Sequence, residues 1–383
     1  MDPIGHFDIM IVGAGPAGIS TWLHLKKVAP ALADNVLVID KAVFPRHKVC
    51  AGGVGAWSQS VLDHLEVDLN ISSLFVDDVA FQYRDQQWIF HSPNQFRMVQ
   101  RADFDLTLVR SAKKRGIELH ENEQFIAAER KQDSVAVKTS RGNYVVKALV
   151  GADGSLSKVR RSMVPSHHTC LASTLQVSAP VDLKNDKGSI QEKARIDLSP
   201  IDNGLQGYLW HFPCLNKGKP FINIGTGNAR FLPGRPKMTL KEIFFRELEA
   251  NDIEIKPQSW SSHPIRWFSH DEPMASPSVI LVGDAAGIEP AFGGGIHMAL
   301  SYGEIAAQEL IQAFQTQDFS FRHYKEGLMS HQLGLYIQDY TLLAKKMYSG
   351  KENPLEQVRQ FYTDRLIRRK LQSLLSVKKH TGK

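Results

Sequence analysis

Apolar positions along the chain alternate between two periods, and the changes of period mark out the elements. Phe7 to Val12 is a short, β-branched apolar run that predicts a buried strand, and Ile19 to Val28 places Trp22, Leu23 and Leu25 at helical spacing. A second apolar run, Asn35 to Ile39, ends at Asp40, so the opening segment predicts a βαβ unit. Phe75 to His91 alternates like a strand, with a turn at Arg84-Asp85. Arg101 to Arg115 is periodic like a helix, with Phe104, Leu106, Leu108 and Val109 facing a core. Ser134 to Thr139 and Tyr144 to Val150 predict a hairpin around Arg141-Gly142-Asn143. Strand-like stretches dominate from Cys170 to Pro264, among them Phe221 to Gly225. Val279 to Val282 predicts one more buried strand, followed by a Gly-rich turn and a helix from about Gly295 to Phe314; from Phe319 the pattern is helical almost to the end.

These elements describe an α/β fold interrupted by a block of strands. A discontinuous Rossmann-like domain takes 1–70, 96–165 and 265–330. An antiparallel β domain takes 71–95 and 166–264, and 331–383 forms C-terminal helices. The 383 residues suffice for two to three domains, and 43% hydrophobic with 22% charged residues is ordinary globular composition, which excludes collagen-like, disordered and disulfide-scaffold chains. Cys50, Cys170 and Cys214 are widely separated, form no CxxC pair and suit a reducing compartment. Met1 to Met10 lacks a basic leader pattern and no run of eighteen apolar residues occurs, so the expected location is cytoplasmic.

Charge is uneven. From Arg359 to Lys383 eight basic residues face one acid, a local +7 against +6 for the whole chain, so the body is near neutral. A nucleic-acid-binding body is not expected. Apolar residues at 355, 358, 362, 366, 371, 374 and 375 lie between those basic residues at near-helical spacing. Such a helix suits docking on the protein body, on an anionic membrane surface or on an acidic partner, and these readings stay open. Oligomeric state is not legible.

Gly13, Gly15 and Gly18 form GxGxxG between the first strand and the first helix, with Ala17 inside the motif. The first glycine permits the tight turn, the second lets a pyrophosphate approach the backbone, and the third allows close helix–strand packing. Asp40, beside Lys41, stands where an acid accepts hydrogen bonds from an adenosine ribose. Two more glycine-acid turns follow strands: Val150-Gly151-Ala152-Asp153-Gly154-Ser155, and Val282-Gly283-Asp284-Ala285-Ala286-Gly287, the latter leading to Gly293-Gly294-Gly295 and a helix.

Taken in order with Arg101 at the head of a helix, the three motifs resemble the flavoprotein monooxygenase class typified by p-hydroxybenzoate hydroxylase. The resemblance implies a glutathione-reductase-type FAD-binding fold. It also implies non-covalent FAD held by Gly13, Gly15, Gly18, Asp40, Arg101, Asp153, Gly283 and Asp284. Asp284 would hold the ribityl chain, and the backbone N–H groups of Gly294, Gly295 and Ile296 would approach the flavin N1 and O2. A narrower resemblance rests on Phe44-Pro45-Arg46-His47-Lys48-Val49-Cys50-Ala51-Gly52-Gly53 and on Gly207-Tyr208-Leu209-Trp210-His211-Phe212-Pro213. Both are similar to segments of the geranylgeranyl reductase branch, although Ala51 stands where that branch has glycine. By this resemblance Cys50, Ala51 and Gly52 lie at the cofactor, and Cys50 is either a catalytic thiol or a small buried residue; Arg46 and Lys48 either neutralise the FAD pyrophosphate or are solvated. Tyr208, Trp210, Phe212 and His297 are candidates for a substrate wall or for packing. No metal site is expected, since neither HxxxH nor CxxC occurs.

The resemblance therefore implies an FAD-dependent oxidoreductase acting on a bulky apolar or aromatic substrate by reduction of a C=C bond. A monooxygenase hydroxylating an aromatic ring, even a tryptophan of a partner protein, is the alternative. A non-catalytic flavin-bearing assembly protein is a third reading. With one GxGxxG, electrons would come from a visiting NAD(P)H or a separate reductase.

Overall fold

The β-branched run before the first glycine turn forms the strand Gly5–Val12, the centre of the first sheet. In the computed structural model, which describes residues 3–181, 193–234, 236–254 and 259–365, it pairs in parallel with Val36–Asp40 and with Asn143–Gly151. Glu118–Glu121 and Val279–Leu281 extend the parallel sheet on either side. The hairpin predicted around Arg141 is present, as Val135–Thr139 paired antiparallel with Asn143–Gly151. Strands buried on both faces read as continuous apolar runs, and Ile9, Met10, Ile11, Leu37, Val38 and Ile39 have no exposed surface.

The helices Pro16–Val28 and Gly295–Thr316 pack face to face beside this sheet. They cross closely because Gly303 has no side chain: a Cβ there would lie 2.4 Å from Ser20 Oγ, and that hydroxyl donates to Leu300 O at 2.6 Å. Arg101–Lys114 buries Phe104, Leu108 and Val109, whereas Leu106 is half-buried at its edge.

The second sheet is built from Ser261–Arg266, Leu171–Pro180, Lys219–Asn228, Leu209–Asn216, Lys193–Asp197, Ser73–Tyr83, Gln86–Val99 and Gly53–Gly55, in that spatial order. It departs from the expected pattern in three places. Lys193–Asp197 runs parallel to Ser73–Tyr83, so the sheet is not wholly antiparallel. Gly53–Gly55, expected in the first domain, adds an edge strand beside Met98. The strand expected to end at His91 continues to Val99, because the pairing shifts register between Val76 and Asp78 and the Asp77 carboxylate accepts the Asn94 N–H at 2.7 Å.

One helix lies within the stretch read as strands. Leu240–Ala250 is started by a capping box in which Thr239 and Glu242 exchange side-chain and backbone hydrogen bonds, and it buries Phe244 and Leu248 against Leu175, Val177, Ile222 and Ile224. Tyr324–Ser330 and Gln332–Tyr348 follow, and the chain is helical again over 354–365. Leu355 and Val358 are buried, and Phe361 and Tyr362 pack on the cluster formed with the second sheet. The described part of the amphipathic segment thus docks on the body; positions 366, 371, 374 and 375 lie outside the described residues. No described helix is long and apolar enough to cross a membrane.

Candidate active site

A cavity of about 990 Å³ runs between the two sheets, from the first glycine turn to the C-terminal helices. At its first end, Gly13 adopts a φ of +111°, and a Cβ there would lie 2.4 Å from Ala152 O. A Cβ on Gly18 would lie 1.9 Å from Gly13 O. Those two glycines seat the turn against its own helix and against the second motif. Gly15 differs: it is the one position from Gly13 to Gly18 that is not buried, its φ is −74°, and the nearest atom to a Cβ would be Arg46 Nη2 at 3.4 Å. Its missing side chain leaves the cradle open at the N-terminus of a helix, where N–H groups and the dipole favour a phosphate. Asp40 accepts the Ala14 and Ala42 N–H groups, each at 2.8 Å, while lining the same groove as Ala17 and Lys41.

The cations of the site are braced from below. Asp105, fully buried, accepts two hydrogen bonds from Arg101 at 2.9 and 3.0 Å and pairs with Arg46 at 2.9 Å. Burial works against the charge on Arg101, but Asp105 and Cys50 more than offset it and hold the guanidinium protonated. Sequence reasoning missed Asp105, although Arg101 and Asp105 stand at i,i+4 on a predicted helix. His263, equally unforeseen, sits 2.5 Å from Lys48; burial and then Lys48 lower its pKa to about 4, so the imidazole is neutral. Lys48 itself is lowered by burial, with Asp284 opposing. Cys50 is half-buried, and its sulfur accepts the Gly52 N–H at 3.4 Å. Ala51 lines the cavity beside it, and Gly52, with φ +84°, leaves no room for a Cβ, which would lie 2.1 Å from Val99 O.

Two of the groups expected at the flavin already have protein partners. Asp153 borders the cavity, but its carboxylate accepts from Ser157 Oγ and the Lys158 and Val159 N–H groups, so it caps the Lys158–Met163 helix. The Gly294 N–H donates to Glu289 at 2.9 Å, which leaves Gly295 and Ile296 as the first-turn donors of the Gly295–Thr316 helix. Glu289, 1% exposed, also accepts the Ala291 and Phe292 N–H groups and so shapes the whole turn. Gly283 packs on Ala17, where a Cβ would come within 2.7 Å of the Ala17 Cβ, and joins the third motif to the first. Asp284 lines the cavity and makes no hydrogen bond among the described residues, so its carboxylate is available to hydroxyl groups.

The far end of the cavity is aromatic. Trp210 and Phe212 face it from one side of the Leu209–Asn216 strand and Tyr208 from just before it, with Tyr208 donating to Phe292 O at 2.5 Å and Trp210 to Asn223 Oδ1 at 2.7 Å. His297 packs between Trp57 and Tyr336; burial lowers its pKa to about 3, and its Nε2 is buried without a partner. The opposite wall was not anticipated: Tyr336, Tyr340 and Tyr348 from one C-terminal helix and Tyr362 and Arg365 from the next. Tyr348 donates to Ala291 O at 2.7 Å, tying that wall to the glycine turn.

An open glycine cradle, a set of cations and an unengaged Asp284 fit a flavin dinucleotide. Residues 6–316 match the FAD binding domain family. The chain belongs to that family. Digeranylgeranylglycerophospholipid reductase 2 of Methanopyrus kandleri is 27% identical over 91% of this chain and 88% of its own. 3-Hydroxybenzoate 6-hydroxylase 1 of Aquipseudomonas alcaligenes is 26% identical over 73% and 74%. The fold is shared with a geranylgeranyl bacteriochlorophyll reductase-like protein of Thermoplasma acidophilum, with a TM-score of 0.74 at 21% identity and coverage of 92% and 90%. The protein is thus an FAD-dependent oxidoreductase, on the geranylgeranyl reductase-like branch of the hydroxylase superfamily. This takes the place of the non-catalytic reading.

Proposed function

We propose that the protein is a flavin-dependent reductase that saturates a C=C bond in a bulky apolar substrate. The observation that carries this reading is the single cavity joining the glycine cradle to an aromatic chamber closed by the C-terminal helices. When bound, reduced FAD supplies a hydride to one carbon of the alkene. The chain supplies the rest. Tyr208, Trp210, Phe212, Phe81 and Trp267 bind the apolar body, and the helices over 332–348 and 354–365 exclude water from it. Cys50 is assigned the proton for the second carbon; the thiolate left behind sits beside the Arg101 guanidinium and regains its proton from solvent. Electrons come from NAD(P)H as a passing visitor or from a separate reductase, since one GxGxxG is present.

The test is anaerobic incubation of the dithionite-reduced, FAD-loaded protein with geranylgeraniol. The expected product carries two added hydrogen atoms, both deuterium in heavy water because the transferable hydrogen of dithionite-reduced flavin exchanges with solvent, and Cys50→Ala slows its formation. Absence of saturated product would overturn this reading, and hydroxylation of 3-hydroxybenzoate by the reduced, FAD-loaded protein in air would establish the second. That reading, hydroxylation of an aromatic ring, draws on the aromatic chamber and on the hydroxybenzoate hydroxylase relative.

A further inference from the structure

The C-terminal helix over 354–365 brings one cation to the aromatic end of the cavity. Arg365 lays its guanidinium over Tyr336, 4.8 Å from Cζ to the ring centroid, and over Tyr340 at 5.5 Å. Among the described residues no carboxylate pairs with it, and the sequence after Asp364 contains no Asp or Glu. Glu289, in the cavity wall, is already held by loop N–H groups, and Asp339 and Asp364, which border a neighbouring groove with Arg365, form no ion pair with it. Three phenols surround the same point. Tyr340 donates to Tyr362 at 3.4 Å, the guanidinium acts electrostatically on Tyr336, Tyr340 and Tyr362, and burial keeps all three protonated. The path to the flavin end is short: Tyr336 touches His297 at a centroid distance of 4.9 Å, and His297 directly follows the Ile296 backbone donor.

A guanidinium paired with no carboxylate among the described residues, stacked on rings that fix its plane, is a preorganised receptor for a planar or tetrahedral oxyanion. We propose that Arg365 and the Tyr336, Tyr340 and Tyr362 hydroxyls form an anion subsite. The substrate is then an apolar molecule bearing a carboxylate or phosphate head, anchored with its reactive carbon toward the flavin. The proposal rests on the alkene-reductase reading for the nature of the apolar body and adds the head group. It makes Arg365 a specificity-determining residue.

Geraniol, geranate and geranyl phosphate share one alkene body and differ in the head. Their binding to the full-length, FAD-loaded protein is followed by quenching of tryptophan fluorescence, since Trp57, Trp210 and Trp267 line the cavity. At least one of the two anions binds about tenfold or more tightly than geraniol, as charge-assisted hydrogen bonds imply. The tighter anion identifies the source as carboxylate or phosphate. Arg365→Gln removes the preference while FAD stays bound, and Arg365→Lys restores part of it. Equal affinity for the three ligands, binding of none, or a preference that survives Arg365→Gln overturns the subsite. Should Arg365→Gln fail to fold, the wild-type comparison decides alone. Anion preference without saturated product would sink the reductase reading and leave the subsite standing; saturation of all three at equal affinity would do the reverse.

Discussion

Gly15 and Gly18 lie three residues apart in one motif, yet the structure assigns them opposite tasks, and substitution separates them. In Gly15→Val the side chain enters open cradle: φ is −74°, within reach of any residue, and the nearest atom to the Cβ is the tip of Arg46. The stripped protein loses no more than about 1 kcal/mol, the cost of a poorer N-cap. The valine stands where the pyrophosphate must lie, so FAD no longer stabilises the fold. With FAD at about a hundredfold over its Kd, the wild type gains about 2.7 kcal/mol from the ligand, and the variant gains none. Gly18→Ala behaves differently. Its Cβ would overlap Gly13 O at 1.9 Å, so the helix must move off the strand, and the stripped protein loses about 3 kcal/mol, the upper end for overpacking. Urea unfolding of both variants, with and without FAD, reads the two quantities separately. Equal loss of stability in the two stripped variants, or an undiminished FAD shift in Gly15→Val, would refute the division of labour.

Asp105→Asn leaves the nearly buried Arg101 and its neighbour Arg46 without their shared counter-charge and costs about 3–5 kcal/mol in urea unfolding; a loss under about 1 kcal/mol would count against the pairing. Glu289→Gln has one oxygen to offer where three N–H groups converge, so FAD binds about tenfold or more weakly by equilibrium dialysis, on the scale of unsatisfied buried donors. His24, lowered to about 4 by burial, takes up its proton on unfolding between pH 6.5 and pH 4. The unfolded chain binds more protons in that window, so stability falls as pH drops through it and is level above it. His24→Phe removes about 1.4 kcal/mol per pH unit from that slope, and parallel curves for variant and wild type would contradict the assignment.

Local pattern carried the first sheet and the cofactor motifs. The turn at Gly13, the helix after it and the acid at Asp40 follow from neighbours in sequence, where strand period, helix period and glycine spacing each leave a mark. The Leu240–Ala250 helix was also written locally, in the Thr239–Glu242 capping box, but the strands around it obscured it. Other features had no local signature. Gly13 must be glycine because Ala152 O lies against it, and Gly283 because Ala17 does; each contact joins motifs far apart in the chain. The Arg101–Asp105 pair was locally readable at i,i+4, but only the fold brings Arg46 to the same carboxylate. The aromatic chamber shows the limit most clearly. Tyr208, Trp210 and Phe212 reveal one wall by alternating along a strand, but Tyr336, Tyr340, Tyr362 and Arg365 look in sequence like the mixed face of a surface helix. Only docking of those helices through Leu355 and Val358 turns that face inward, because periodicity states which side of a helix is apolar and says nothing of what it will meet.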